Sequence, residues 1–66
     1  MKNNLKDLRQ KEDISQDDLA SILKVSRQTI NSIETGKFDP SLKLVMKMTK
    51  YFAVALEEIF IYEEEK

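Results

Sequence analysis

Glycine and proline occur once each in this chain, at Gly36 and Pro40. A sheet of several strands needs tight turns at frequent intervals, and those turns draw on Gly, Pro, Asn and Asp in clusters. A 66-residue chain with so little turn chemistry is expected to be all-α, its reversals made between capped helices. The length allows a single domain over 1–66. A core of this size is marginal and calls for a staple or a partner subunit. The sequence holds neither Cys nor His. Disulfides, thiolate ligands, most zinc sites and His-dependent nucleophiles are thereby removed, so no metal or cofactor is expected. Good helix packing and oligomerisation remain as sources of stability.

Apolar spacing and capping residues place five helices. Leu5 and Leu8, with the stem of Lys11, share one stripe and predict a first helix over about 4–12. Ser15, followed by Gln16, Asp17 and Asp18, is a capping-box-like start, with acids suited to a positive helix end. Leu19, Ala20 and Leu23 then form the apolar face of a second helix, about 16–23. Lys24-Val25-Ser26 separates it from a third, about 27–35, capped by Ser26 and ended by Gly36. Pro40-Ser41 opens a fourth, about 41–52, with Leu42, Leu44, Val45, Met48 and Phe52 as candidate core. A short fifth turn over 56–60 carries Leu56, Ile59 and Phe60. The segment Phe60-Ile61-Tyr62 is β-prone. It either pairs with residues 1–3 as a short two-stranded hairpin or frays.

Net charge is −1, but the charge is unevenly placed. Residues 1–53 hold ten Lys/Arg against seven Asp/Glu, whereas residues 54–66 hold five Glu and one Lys. An acidic tail, including Glu63-Glu64-Glu65, thus masks a mildly basic body. No apolar run approaches a signal-peptide core or the roughly 20 residues of a membrane span, so a cytoplasmic protein is expected.

Two helices joined by a three-residue turn form a helix-turn-helix, whose second helix enters the DNA major groove. Here that helix needs only Ile30 and Ile33 on its inner face. Small Ala20 suits the close approach of the two helices, and Val25 plugs the turn. The outer face carries Arg27, Gln28, Asn31 and Ser32 as candidate base readers. Arg can fork onto guanine O6/N7, and Gln or Asn can pair with adenine N6/N7. Gln16, Ser26 and Thr29, near helix N-termini, and Lys37 beyond the helix are candidate phosphate contacts.

The ordered set Ser15-Gln16, Leu19-Ala20, Val25-Ser26, Ile30, Ile33-Glu34, Gly36, Pro40-Ser41-Leu42 and Leu56-Glu57-Glu58-Ile59-Phe60 resembles the phage lambda-repressor and Cro class, often called the Xre family. The likeness runs from about Leu5 to Phe60. It implies a five-helix domain that binds operator DNA, usually as a homodimer. It also implies a phosphate contact from Gln16, base reading by Arg27, Gln28 and Ser32, and a partly buried ion pair between Arg9 and Glu34. Very short members of the family often end in a brief terminal β-hairpin. Two features depart from the pattern. Val54-Ala55 stands where a Ser, Thr or Asp cap is common, and residues 15–37 balance Lys24, Arg27 and Lys37 with Asp17, Asp18 and Glu34.

A single reading helix covers about four base pairs, too few for selective binding. Two copies on a twofold axis would read a palindrome with half-sites about 34 Å apart. Tyr51, Val54, Leu56, Ile59 and Ile61 cluster in the last quarter of the chain and are expected to supply a homodimer patch, the alternative being that all are core. The leading expectation is a dimeric, sequence-specific repressor of double-stranded DNA, with no membrane and no small-molecule substrate. A protein-binding module such as an antitoxin would need a longer extension than the short acidic tail. An enzyme is disfavoured, since adjacent Glu57 and Glu58 diverge on a helix and no Gly-rich loop or nucleophile–base pair is present.

Overall fold

A computed structural model describes residues 1–63, and the last three residues of the chain, Glu64, Glu65 and Lys66, lie outside the described residues. Five helices follow a short first strand: β1 Lys2–Asn3, α1 Leu5–Lys11, α2 Gln16–Leu23, α3 Arg27–Glu34, α4 Leu42–Phe52, α5 Leu56–Ile59, and finally β2 Phe60–Ile61. β1 and β2 pair antiparallel, with Lys2 opposite Ile61 and Asn3 opposite Phe60. The terminal hairpin is therefore present, but Met1 and Tyr62 fall outside its two strands.

Side-chain caps set most helix starts. Ser15 Oγ accepts from the Asp18 N–H at 3.0 Å while Asp18 Oδ2 accepts from the Ser15 N–H at 3.1 Å, a complete capping box. Ser26 Oγ accepts from Thr29 N–H at 3.1 Å, and Ser41 Oγ from Leu44 N–H at 3.2 Å. α5 has only half a box. Ala55 has no side-chain acceptor, but Glu58 reaches back to accept from the Ala55 N–H at 2.7 Å.

The helix ends share one device. Asp13, Lys24, Gly36 and Ala53 follow α1, α2, α3 and α4 in the left-handed region, at φ between 55 and 78°. After α3, the Gly36 N–H donates to Ile33 O and the Lys37 N–H to Ser32 O, each at 3.0 Å. That pair of bonds satisfies two carbonyls the helix leaves open. After α2 the equivalent bonds run from Lys24 to Ser21 O and from Val25 to Ala20 O. The second of these shapes the turn into α3. Only one of the four positions uses glycine, so sparse glycine does not mean sparse turns.

The core joins every helix. Leu5, Leu19, Ala20, Leu23, Ile30, Ile33, Leu44, Met48, Ile59 and Phe60 are buried, with Leu8, Ile14, Val25, Val45, Phe52 and Val54 packed around them. Ile30 and Ile33 are fully inaccessible. Burying a side chain of that size is worth about 1.5–3 kcal/mol, and it is what seats α3 on α1 and α2. One expected core residue is not core. Leu42, at the first position of α4, is 73% exposed, whereas Leu44, two residues on, is buried. Lys11 is also exposed; the next inward residue of α1 after Leu8 is Arg9.

Candidate nucleic-acid interface

α2 and α3 pack closely across the Lys24–Ser26 turn, so the buried Ile30 and Ile33 turn the opposite face of α3 outward. Arg27, Gln28 and Asn31 are exposed on that face, and Ser32 is half-buried beside them. Residues at helical positions i, i+1, i+4 and i+5 form one continuous strip. The strip begins at the N-terminal end of α3, with Arg27 and Gln28, where backbone N–H groups and the helix dipole favour an anion.

Each candidate side chain has a definite setting. Arg27 Nε stands 4.0 Å from Asp17 Oδ1 with both side chains mostly exposed, an ion pair worth little. It would be given up readily for a base or a phosphate. Ser26 and Thr29 share a hydrogen bond of 2.9 Å between hydroxyls, so one hydroxyl proton of the two is left to donate outward. Lys37 is exposed just past the end of α3.

Gln16 is more constrained. Its Nε2 donates to Glu34 Oε1 at 3.0 Å and to Asn31 Oδ1 at 3.3 Å. Glu34 in turn is gripped by Arg9, whose Nε donates to Oε2 at 2.7 Å and whose Nη2 donates to Oε1 at 3.1 Å. Arg9 Nη1 completes the set by donating to Ile14 O at 3.0 Å. The Arg9 and Glu34 side chains are only 11% and 3% exposed. The hydrogen bond to Glu34 is the main influence on the guanidinium and raises its pKa; burial opposes this and the charge of Glu34 adds to it. Among the described residues, no buried side-chain nitrogen or oxygen lacks a partner. The contact of Gln16 with Asn31 was not visible in the sequence, because residues fifteen apart carry no local signature.

The five residues expected to form a dimer patch are dispersed. Leu56 and Ile61 line one groove of about 660 Å³, together with Leu42, Val45, Phe60 and Tyr62. Tyr51 lies elsewhere, beside Ile22, Lys24, Lys47 and Lys50. Val54 borders a third region near Leu8. Ile59 is fully buried in the monomer core and is withdrawn from the patch, because a side chain with no accessible surface has none to offer a partner.

Among the described residues there is no cluster of acids that could hold a metal ion, and no helix is long and apolar enough to cross a membrane. The turn, the seated helix and its polar strip define a helix-turn-helix module. The chain belongs to the helix-turn-helix family whose model matches residues 5–59, the Xre and lambda-repressor-like type. An uncharacterized HTH-type transcriptional regulator of Methanocaldococcus jannaschii is 56% identical over 66 residues, covering all of both chains. The HTH-type regulator YgzD of Bacillus subtilis is 43% identical over 65 residues, 98% of each chain. The HTH-type transcriptional activator BcrR of Enterococcus faecalis is 35% identical over 60 residues, which cover 91% of this chain and 29% of that one. Family and relatives together support DNA-binding transcription regulation and not an enzymatic role.

Proposed function

We propose that the chain is a repressor that binds a palindromic operator as a homodimer. The observation that carries this reading is the outward strip of Arg27, Gln28, Asn31 and Ser32 on a helix locked from behind by Ile30 and Ile33. Arg27 and Gln28 stand at the start of α3 and would read base edges in the major groove. Lys37, the hydroxyls of Ser26 and Thr29, and the N-terminal amides of α2 and α3 would hold phosphates and set the register. Repression by occlusion asks only that the site be occupied, so it requires nothing beyond these residues.

Self-association is supported by the groove between the start of α4, α5 and β2. Leu42, Leu56, Ile61 and Tyr62 expose 73, 44, 40 and 77% of their surface there. Contiguous apolar surface of this kind marks an association site, and a twofold axis through it would pair two reading helices. Tyr51 and Val54 lie apart from the groove and would contribute only at its margins, if the interface is broad.

The test is a salt-titrated gel shift and footprint on DNA upstream of the gene that encodes the chain. Two half-site footprints about 34 Å apart, with affinity falling as salt rises, are expected. Gln28→Ala should weaken the operator by about 1–3 kcal/mol and relax preference at one position. Sequence-blind binding alone would overturn the operator reading. A reporter that rises when the site is occupied would instead make the chain an activator, the role that BcrR is named for.

A further inference from the structure

The hydrogen bonds behind the strip constrain what one of its members can read. Glu34 is an ionised carboxylate held by Arg9, and a carboxylate only accepts. The Gln16 group facing it at 3.0 Å must therefore be the NH₂ end of the amide. The same NH₂ faces Asn31 at 3.3 Å, and an NH₂ can meet only an acceptor, so Asn31 presents Oδ1 inward. The chain of bonds runs in one direction, from the buried Arg9–Glu34 pair through Gln16 to the exposed Asn31. At its end the oxygen of Asn31 is engaged and its two N–H groups remain free.

We propose that Glu34, acting through Gln16, is a positioning residue that fixes Asn31 as a hydrogen-bond donor, so that Asn31 reads guanine rather than adenine. This rests on the reading of α3 as the base-contacting helix. Adenine in the major groove offers one acceptor and one donor, N7 and N6, and a side-chain amide pairs with it only if its oxygen is free. Guanine offers two acceptors, N7 and O6, which suit a group that can only donate. Gln16 directs its NH₂ at both Glu34 and Asn31 and so orients Asn31 before DNA arrives.

The experiment is selection from a randomised operator pool with the wild-type chain, Asn31→Ala, Gln16→Met and Gln16→Ala, each checked for folding by circular dichroism. The wild type should enrich guanine at one position of each half-site, and Asn31→Ala should lose that preference. Gln16→Met and Gln16→Ala free the Asn31 amide to turn over. At that position alone, the preference for guanine over adenine should fall about tenfold. The preference set by Gln28 should not change. The proposal is overturned by wild-type enrichment of adenine at the position Asn31→Ala affects, or by Asn31→Ala altering no position. It is also overturned if the Gln16 variants leave the guanine preference at that position unchanged. A wild-type chain that enriches no sequence at all would overturn the operator reading itself, which separates the two failures.

Discussion

Removing Arg9 should be among the most damaging single changes available in this chain. Arg9→Ala deletes two of the three donors that hold the Glu34 carboxylate and leaves only Gln16. The Glu34 side chain is 3% exposed, so water cannot replace them in the folded state. Stranding one partner of a buried ion pair costs about 3–5 kcal/mol. A domain of this length has a total stability of about 3–10 kcal/mol, so the variant should lie near or past its unfolding midpoint. Glu34→Ala should cost less. The guanidinium it strands keeps the Ile14 carbonyl at 3.0 Å and is 11% exposed. The double variant Arg9→Met/Glu34→Leu removes both charges and fills the space with apolar atoms. Such replacements are often neutral or stabilising, so it should recover most of the loss. Urea denaturation followed by circular dichroism, at one fixed protein concentration, gives all three values and the coupling between the sites. If each single alanine variant costs less than about 1 kcal/mol, the pair behaves like a surface salt bridge and the reasoning fails.

Three further outcomes are expected. Under the proposed self-association, Leu56→Glu, which places a charge in the groove at an exposed position, should sediment as a monomer at concentrations where the wild type sediments as a larger species. A variant that remained dimeric would exclude the groove as the interface. Ala53→Gly relieves a left-handed residue at φ 55°. Left-handed backbone costs a non-glycine residue about 1–2 kcal/mol, and added unfolded-chain freedom takes back about 0.4–1 kcal/mol. A net gain of about 0.5–1 kcal/mol should appear as a higher melting temperature, and a loss would show that the turn is unstrained. Ser26→Ala removes the acceptor for Thr29 N–H and should cost about 1 kcal/mol. It should also weaken DNA binding, because the start of α3 frays; unchanged melting would refute the cap's contribution.

Helix starts were legible because caps are local. Ser15, Ser26 and Ser41 announce α2, α3 and α4 to within a residue. Helix ends were less so. Gly36 is a visible stop, but Asp13, Lys24 and Ala53 take the same left-handed conformation with residues that do not advertise it. In the sequence Leu42 groups with the core as one of several apolar residues of α4, yet it is Leu44 and Met48 that α4 turns inward. The apolar residues of the last quarter looked like one patch because they are neighbours in sequence. The left-handed turn at Ala53 and the reversal into β2 send them to separate places. Arg9 and Glu34 are 25 residues apart, and no spacing rule joins them; only the family resemblance suggested the pair. The links from Gln16 to Glu34 and Asn31 had no cue of either kind.

The pairing of β1 with β2 has a consequence for the order in which the chain folds. Contacts among α1, α2 and α3 join segments close in sequence, whereas Asn3 meets Phe60 across nearly the whole chain. Short-range contacts form first, because closing a long loop surrenders entropy before any contact repays it. The helices should therefore assemble as an open body, and the two ends should zip together last. The bonds from Asn4 N–H to Ile59 O at 2.7 Å and from the Asn3 side chain to Ile33 O at 2.8 Å are then the final latch. In hydrogen-exchange experiments that seam would open before the helices do. Since Phe60 and Ile61 also border the apolar groove, a second copy docked there would slow the opening, and exchange at Asn4 would become an assay of assembly.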